Sequence, residues 1–197
     1  MNLPFSPSAD RNKHAILKAL SKELVGDELI LEIGSGTGQH ACHFAANLPN
    51  ILWQPSELKD NIPTIKSRIR EQHCHNLLDP YELDVDVLPW PVNNAHVCYT
   101  SNTFHIVSMQ SIQSIFAGCK QVLGHAGKLC VYGPFSINGS HTSQGNIQFD
   151  QQLRASGPAS GIRDLQELDG LAKMAGFCAC RCVEMPANNL FVVWDCE

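Results

Sequence analysis

Charged side chains are scarce in this sequence of 197 residues, and long apolar runs are absent. Charged residues make up 17%, and 14 Lys and Arg stand against 19 Asp and Glu, for a formal net charge of -5. Binding along a nucleic-acid backbone needs cations clustered on one face, so a nucleic-acid partner is not expected. No apolar run approaches the ~18 residues that a membrane-spanning helix requires, so a membrane partner is not expected either.

A signal-peptide pattern is also missing, because the opening stretch MNLPFSPSADRNKH contains no apolar core. Nine cysteines are scattered along the chain, and we expect a reducing, cytoplasmic location in which they remain thiols. Cys178, Cys180 and Cys182 alternate, which on a strand puts them on one face, and we interpret that face as part of the core. Zinc sites prefer C-x-x-C pairs, so no metal site is predicted.

Strand-like and helix-like segments alternate along the chain, a pattern typical of the α/β class. We predict one domain over residues 1–197, with a first helix within residues 10–25 that Asp10 or Ser8 caps. The polar, Gly- and Ser-rich residues 136–164 are interpreted as a lid or substrate loop with one short helix near residues 149–154. Seven strands are predicted, at residues 28–33, 51–54, 81–85, 95–100, 128–132, 177–184 and 190–194.

The strongest local signal is the stretch LEIGSGTG at residues 31–38, where an apolar strand runs into a glycine loop and then a helix. Its G-x-G-x-G spacing differs from the dinucleotide fingerprint G-x-G-x-x-G, and no lysine follows as in a P-loop. An acidic residue just before the loop would repel a pyrophosphate, but it favours the amino group and sulfonium of S-adenosylmethionine. The candidate cofactor-binding residues here are Glu32, Gly34, Ser35, Gly36 and Gly38.

Two further acids follow the next two strands. Glu57 comes about 20 residues after the glycine loop, a spacing that places a carboxylate at the ribose hydroxyls of a nucleotide-like cofactor. Asp84 ends the third predicted strand, where its carboxylate can accept from an adenine amino group while the N–H of Val85 faces the ring. Either acid taken alone is equally well explained as a helix cap or a solvated loop residue.

The sequence resembles the class I S-adenosylmethionine-dependent methyltransferases, and most closely the uncharacterised methyltransferase-like protein 26 family. The matching stretches are SPSADRN, LEIGSGTGQHACHFA, WQPSE, NTFHI, GKLCVYGPF, GSHTSQGNIQFDQQLR, GIRDL and VEMPANNL. The resemblance implies a Rossmann-like, mostly parallel sheet of seven strands in the order 3-2-1-4-5-7-6, with strand seven antiparallel and helices on both faces. Glu57 departs from the expected pattern, which has Asp at that position.

The resemblance also implies that the amino-terminal arm folds over the cofactor, with Arg11 pairing with its carboxylate and Asn12 nearby. An ordinary surface role for Arg11 is the alternative. The backbone around Asn102, after the fourth strand, is a further candidate for holding the cofactor's amino group.

Chemistry in such a fold is expected at the carboxyl ends of strands four and five. His105 is the candidate general base or acceptor-orienting residue, because a neutral imidazole titrates near working pH; a capping or packing role is the alternative. Tyr132 and Phe135 flank the turn after strand five and, with His141 of the lid, are candidates for the acceptor pocket.

These observations predict a methyltransferase that uses S-adenosylmethionine, releases S-adenosylhomocysteine and acts on a small-molecule acceptor. A non-catalytic regulatory protein that binds the same two ligands is the alternative. A nicotinamide-dependent oxidoreductase is disfavoured by the glycine spacing. Neither the acceptor nor the oligomeric state follows from the sequence.

Overall fold

Helices and strands alternate along the chain in the computed structural model, which describes residues 3–72 and 74–197. The helices are α1 Pro7–Leu20, α2 Gln39–Asn47, α3 Ile62–Gln72, α4 Met109–Val122, α5 Gln144–Ser156 and α6 Leu165–Met174. The strands are β1 Leu29–Ile33, β2 Leu52–Glu57, β3 Tyr81–Glu82, β4 Ala95–Ser101, β5 Leu123–Gly133, β6 Phe135–Ile137, β7 Ser140–His141, β8 Arg163–Asp164, β9 Arg181–Met185 and β10 Asn189–Asp195.

Seven of these strands form the main sheet, in the order β3-β2-β1-β4-β5-β10-β9. Counted along the chain within this sheet, that order is 3-2-1-4-5-7-6, because β6, β7 and β8 belong to a separate small sheet. Strand β10 runs antiparallel to both of its neighbours, while β1, β2, β3, β4 and β5 pair in parallel. The predicted α/β Rossmann-like fold is therefore confirmed.

Helices cover both faces of the sheet because successive residues of its central strand point in opposite directions. Leu31 packs in a cluster with side chains of α4 and α6, whereas Ile30 packs in a second cluster with side chains of α1 and α2. Both residues are fully buried, and each such side chain contributes about 1.5–3 kcal/mol of hydrophobic stabilisation. Two-sided burial explains why consecutive residues of β1, from Leu29 to Leu31, are apolar instead of alternating with polar ones.

The first helix begins earlier than predicted. Ser6, rather than Ser8 or Asp10, is its N-cap, and the Ser6 hydroxyl accepts a hydrogen bond from the Ala9 N–H at 3.3 Å. Pro7 then occupies the first turn, where its missing N–H costs nothing. The helix ends at Leu20, several residues before the predicted limit of residue 25.

Two predicted strands are shorter than expected. The third holds only two residues, Tyr81 and Glu82, each paired with β2, because the Asp84 carboxylate accepts from the Asp86 N–H at 3.0 Å and turns the chain. Strand β9 begins at Arg181 instead of residue 177. Cys178 lies before β9 and Cys182 on this edge strand, and both are exposed, whereas Cys180 packs partly buried against the core. The prediction of a buried face shared by all three cysteines was therefore wrong.

Residues 136–164 contain more regular structure than predicted, including β7 and α5. Helix α5 spans 13 residues, well beyond the short helix predicted near residues 149–154. It is tied down by Asp150, which accepts from the Ile162 N–H at 2.6 Å and from Arg154 at 2.9 Å. The bond to Ile162 joins α5 to the residues that follow it, and the role of the segment as a lid or substrate loop stays a prediction.

Within the described ranges, no helix is long and apolar enough to cross a bilayer. Residues 3–72 and 74–197 likewise contain no group of three or more His, Cys, Asp or Glu side chains arranged to hold a metal ion.

Candidate functional site

The carboxyl ends of β1, β2 and β4 meet at one edge of the sheet, where a cavity of about 560 Å³ opens. We call it the first cavity. Its lining includes the predicted residues Glu32, Gly34, Ser35, Gly36, Glu57, Asn102 and His105. Ligands of open α/β sheets bind at the carboxyl ends of the strands, so the sheet topology makes this cavity the candidate binding site.

The glycine loop exposes its backbone to this cavity. Gly34 and Gly36 have φ values of +71° and +54°, a left-handed conformation that other residues rarely adopt. A Cβ on Gly34 would lie 3.2 Å from Thr103 Oγ1, whereas a Cβ on Gly36 would meet no atom within 4 Å. The space beside Gly36 is open, so a ligand can approach its main chain closely.

Glu32 lies under the loop and is almost completely buried. Its Oε2 atom accepts hydrogen bonds from Ser35 Oγ at 2.9 Å and from Trp53 Nε1 at 3.0 Å. Burial raises the pKa of Glu32 to about 7 in spite of these two donors. A cation placed in the cavity would hold this carboxyl group in its charged form.

Glu57, at the end of β2, supports the loop from the other side. One carboxylate oxygen accepts from the Gly36 N–H at 2.7 Å and the other from the Leu58 N–H at 2.8 Å. Leu58 also lines a neighbouring cavity of about 390 Å³ that contains Asp84. The two acids therefore line neighbouring cavities that share Leu58. Val85 packs against the core.

A second cavity, of about 650 Å³, adjoins the first and shares Ser8, Asn102 and Phe149 with it. One face of α1 lines this second cavity, and Arg11 and Asn12 belong to that face. Both were predicted to bind the cofactor, but they lie among the residues of the second cavity and not of the first.

His105 lines the first cavity, and its ring contacts Phe149 edge-to-face, with the ring centroids 5.4 Å apart. Burial, together with the nearby Arg163 guanidinium, lowers the pKa of His105 to about 4. Arg163 donates to the Phe104 carbonyl at 3.0 Å and so fixes the turn that carries His105. The imidazole is neutral at physiological pH.

Of the three predicted acceptor-pocket residues, only Tyr132 lines the second cavity. Phe135 is the first residue of β6 in the small sheet, and its side chain is buried in the main core instead of lining a cavity. His141 lies 3.4 Å from the Asp150 carboxylate and is not among the lining residues of either cavity. Gly38 is the N-cap of α2 and lines neither cavity, and a Cβ at this position would lie 3.4 Å from Ile65.

Several residues of the two cavities were not predicted as site residues. His40 lines the first cavity and donates from Nε2 to Asn12 Oδ1 at 2.8 Å, which links α2 to α1. Phe149 and Asn146 come from α5 and reach the second cavity across the fold. Asn146 and Phe149 are three residues apart, so they lie on one face of α5. The sequence does not indicate which part of the molecule that face contacts.

Solved structures of S-adenosylmethionine-dependent methyltransferases share this architecture. Human N-acetylserotonin methyltransferase in complex with S-adenosylmethionine superposes with a TM-score of 0.82 at 14% identity, over 96% of this chain and 53% of the other. PigF with S-adenosylhomocysteine gives 0.74 at 17% identity, over 84% and 50%. An O-methyltransferase family 2 protein from Planctomyces limnophilus, complexed with apigenin, gives 0.75 at 12%, over 94% and 62%.

The fold is thus that of the S-adenosylmethionine-dependent methyltransferases, although this chain spans only about half to three fifths of the length of these proteins. More narrowly, the chain belongs to the protein family of unknown function DUF938, whose family model matches residues 3–196.

Proposed function

We propose that this protein is an S-adenosylmethionine-dependent methyltransferase that acts on a small-molecule acceptor. One observation carries the proposal: a cavity lined by left-handed glycines and two carboxylates shares three lining residues with a second cavity of about 650 Å³. The glycine loop and carboxylates of the first cavity are suited to binding the cofactor, and the second cavity is large enough to hold an acceptor beside it.

The residues of the first cavity fit S-adenosylmethionine. Glu32 offers a buried carboxylate to the cationic end of the cofactor, and Glu57 offers one to the ribose hydroxyls. The Ser8 and Thr37 hydroxyls line the same cavity and are suited to the cofactor's carboxylate. The bare main chain at Gly36 leaves space that any side chain would fill.

When bound, S-adenosylmethionine supplies an electrophilic methyl group on a positively charged sulfur. The protein's part in the reaction is then to align an acceptor atom and exclude water. Ser8, Asn102 and Phe149 border both cavities, so they mark the passage where the acceptor would meet the methyl group. His105 lies beside Phe149 as a neutral imidazole that can accept a hydrogen bond from an acceptor. Its pKa of about 4 makes it a weaker base than the sequence predicted, since it does not titrate near working pH.

Two finer parts of the proposal rest on the sequence. Kinship with the methyltransferase-like protein 26 family is supported by the motifs that match it, and a cytoplasmic location by the nine cysteines, all free thiols. The apigenin bound to the similar Planctomyces limnophilus protein supports a small molecule as the acceptor.

The test is calorimetric titration with S-adenosylmethionine, S-adenosylhomocysteine and NAD, followed by transfer of labelled methyl groups to a metabolite extract. We expect micromolar binding of the first two ligands, no binding of NAD, and at least one labelled product. Binding without any labelled product would favour a regulatory protein, and a preference for NAD would overturn the proposal.

A further inference from the structure

Charges are divided between the two cavities. The first contains the carboxylates of Glu32 and Glu57 and no Lys or Arg among its lining residues. The second contains the Arg11 guanidinium and no Asp or Glu among its lining residues. In a chain of net charge -5, an acid-free cavity with one cation is suited to an anionic ligand.

Arg11 is available to such a ligand. Ser8, Arg11, Asn12 and Ala15 occupy one stripe of α1 and line the cavity together. Arg11 is exposed and forms no ion pair within residues 3–72 and 74–197, whereas Lys13, on the same helix, pairs with Asp10 at 2.5 Å. A guanidinium has two parallel N–H donors that match a carboxylate.

The remaining walls combine flat apolar surfaces with carboxamides. Tyr132 and Phe149 contribute aromatic rings, and Pro134 and Pro186 contribute apolar edges. Rings and prolines of this kind accommodate a planar ligand face.

The carboxamide wall is fixed in place by an unusual turn. Ala187 and Asn188 have φ values of +59° and +55°, a conformation that costs energy in residues other than glycine. Asn146 Nδ2 donates to the Asn188 carbonyl at 3.1 Å and to Thr142 Oγ1 at 2.9 Å, which joins α5 to this turn. Because the side-chain N–H groups of Asn146 donate to protein atoms, its Oδ1 atom is the part of the amide left to accept a hydrogen bond from a ligand.

We propose that the second cavity binds a planar, aromatic acceptor bearing a carboxylate, which Arg11 recognises while Phe149 and Tyr132 contact its ring. This inference rests on the proposed function, since it assigns the acceptor's chemical class. The stretches ADRN, GNIQF and MPANN, distant in the sequence, each contribute residues to this one cavity.

The experiment measures ligand binding to the protein saturated with S-adenosylhomocysteine. The probes are benzoate, 1-naphthoate, indole-2-carboxylate and quinoline-2-carboxylate, each compared with its own carboxamide. We expect at least one carboxylate to bind about tenfold more tightly than its amide, and Arg11→Gln to remove that preference. Lys13→Gln is the matched control, because it deletes one cation from the same helix and should leave the preference intact.

Three outcomes would overturn the inference. They are equal affinity for acids and amides throughout the panel, loss of the preference in Lys13→Gln as well, and weakened S-adenosylhomocysteine binding in Arg11→Gln with the preference unchanged. Failure of wild type to bind either cofactor form would instead refute the proposed function. The acid and amide probes are then compared on the unliganded protein, so the two failures are distinguishable.

Discussion

The Glu57 carboxylate accepts a hydrogen bond from the Gly36 N–H at 2.7 Å, and so joins the end of β2 to the tip of the glycine loop. The same carboxylate is the proposed ribose ligand. We expect Glu57→Gln to weaken S-adenosylhomocysteine binding about tenfold, because a neutral amide is a poorer acceptor for two hydroxyls than a carboxylate. Calorimetry measures this directly.

Glu184 provides the control for that variant, since it is exposed on the edge strand β9 and lines none of the three cavities described above. Glu184→Gln should change the affinity less than Glu57→Gln does. Equal effects of the two variants would show that overall charge, and not the position of Glu57, governs binding.

Gly36 is the second test position. Gly36→Ala would place a methyl group in the open space of the first cavity and force alanine into a left-handed conformation, at a cost of about 1–2 kcal/mol. We expect the variant to fold, with a reduced free energy of unfolding in urea, and to lose cofactor affinity at least about tenfold. Gly26→Ala, where a Cβ meets nothing within 4 Å, should leave binding unchanged.

Glu32 predicts a pH-dependent affinity. Because the pKa of Glu32 is about 7, its carboxyl group in the free protein is largely protonated at pH 6 and largely ionised at pH 8. Binding of the cationic cofactor requires the ionised carboxylate. Affinity for S-adenosylmethionine should therefore fall about tenfold from pH 8 to pH 6. Glu32→Gln should bind weakly and with little pH dependence over this range.

The same carboxyl group affects stability with the opposite sign. Its folded pKa of about 7 lies above its ordinary value of 4.5, so the folded state binds the proton more tightly. Its contribution to the free energy of unfolding is thus lost as the pH rises from 4.5 to 7, by about 3 kcal/mol. In urea unfolding, the free energy of unfolding of Glu32→Gln should rise relative to that of wild type as the pH increases from 4.5 to 7. A difference between the two proteins that does not change with pH would contradict the raised pKa of Glu32.

His105 predicts an unusual pH–rate profile. Because its pKa is about 4, a rate that depends on neutral His105 should decline only below about pH 5 and show no transition near 6.5. His105→Gln should lower turnover about 100-fold and abolish the acidic limb, with little change in cofactor affinity. The exposed His125 supplies the control His125→Gln, and unchanged turnover in His105→Gln would assign His105 a packing role.

Local patterns predicted the features that depend on neighbouring residues. The glycine loop, Glu32 before it and Glu57 after the next strand follow from a strand-turn-helix unit whose spacing reflects its geometry. Their common cavity was predictable because parallel strands bring their carboxyl ends to one edge. By contrast, Cys178 and Cys182 were wrongly assigned to the core. Cys178 precedes β9 and Cys182 lies on this edge strand, and alternation in the sequence reveals neither where a strand begins nor whether it lies at an edge.

The amino-acid sequence by itself determined the α/β class, the identity of the first cavity's carboxylates and the expectation of a small cationic cofactor. Only the tertiary structure decided that Arg11 lines the second cavity, that Phe135 is buried in the core, and that Phe149 meets His105. The physical reason is that these placements depend on elements far apart in the chain, namely α1, α5, β6 and the turn that carries His105. Residues so far apart in the chain become neighbours only when both faces of the sheet are packed.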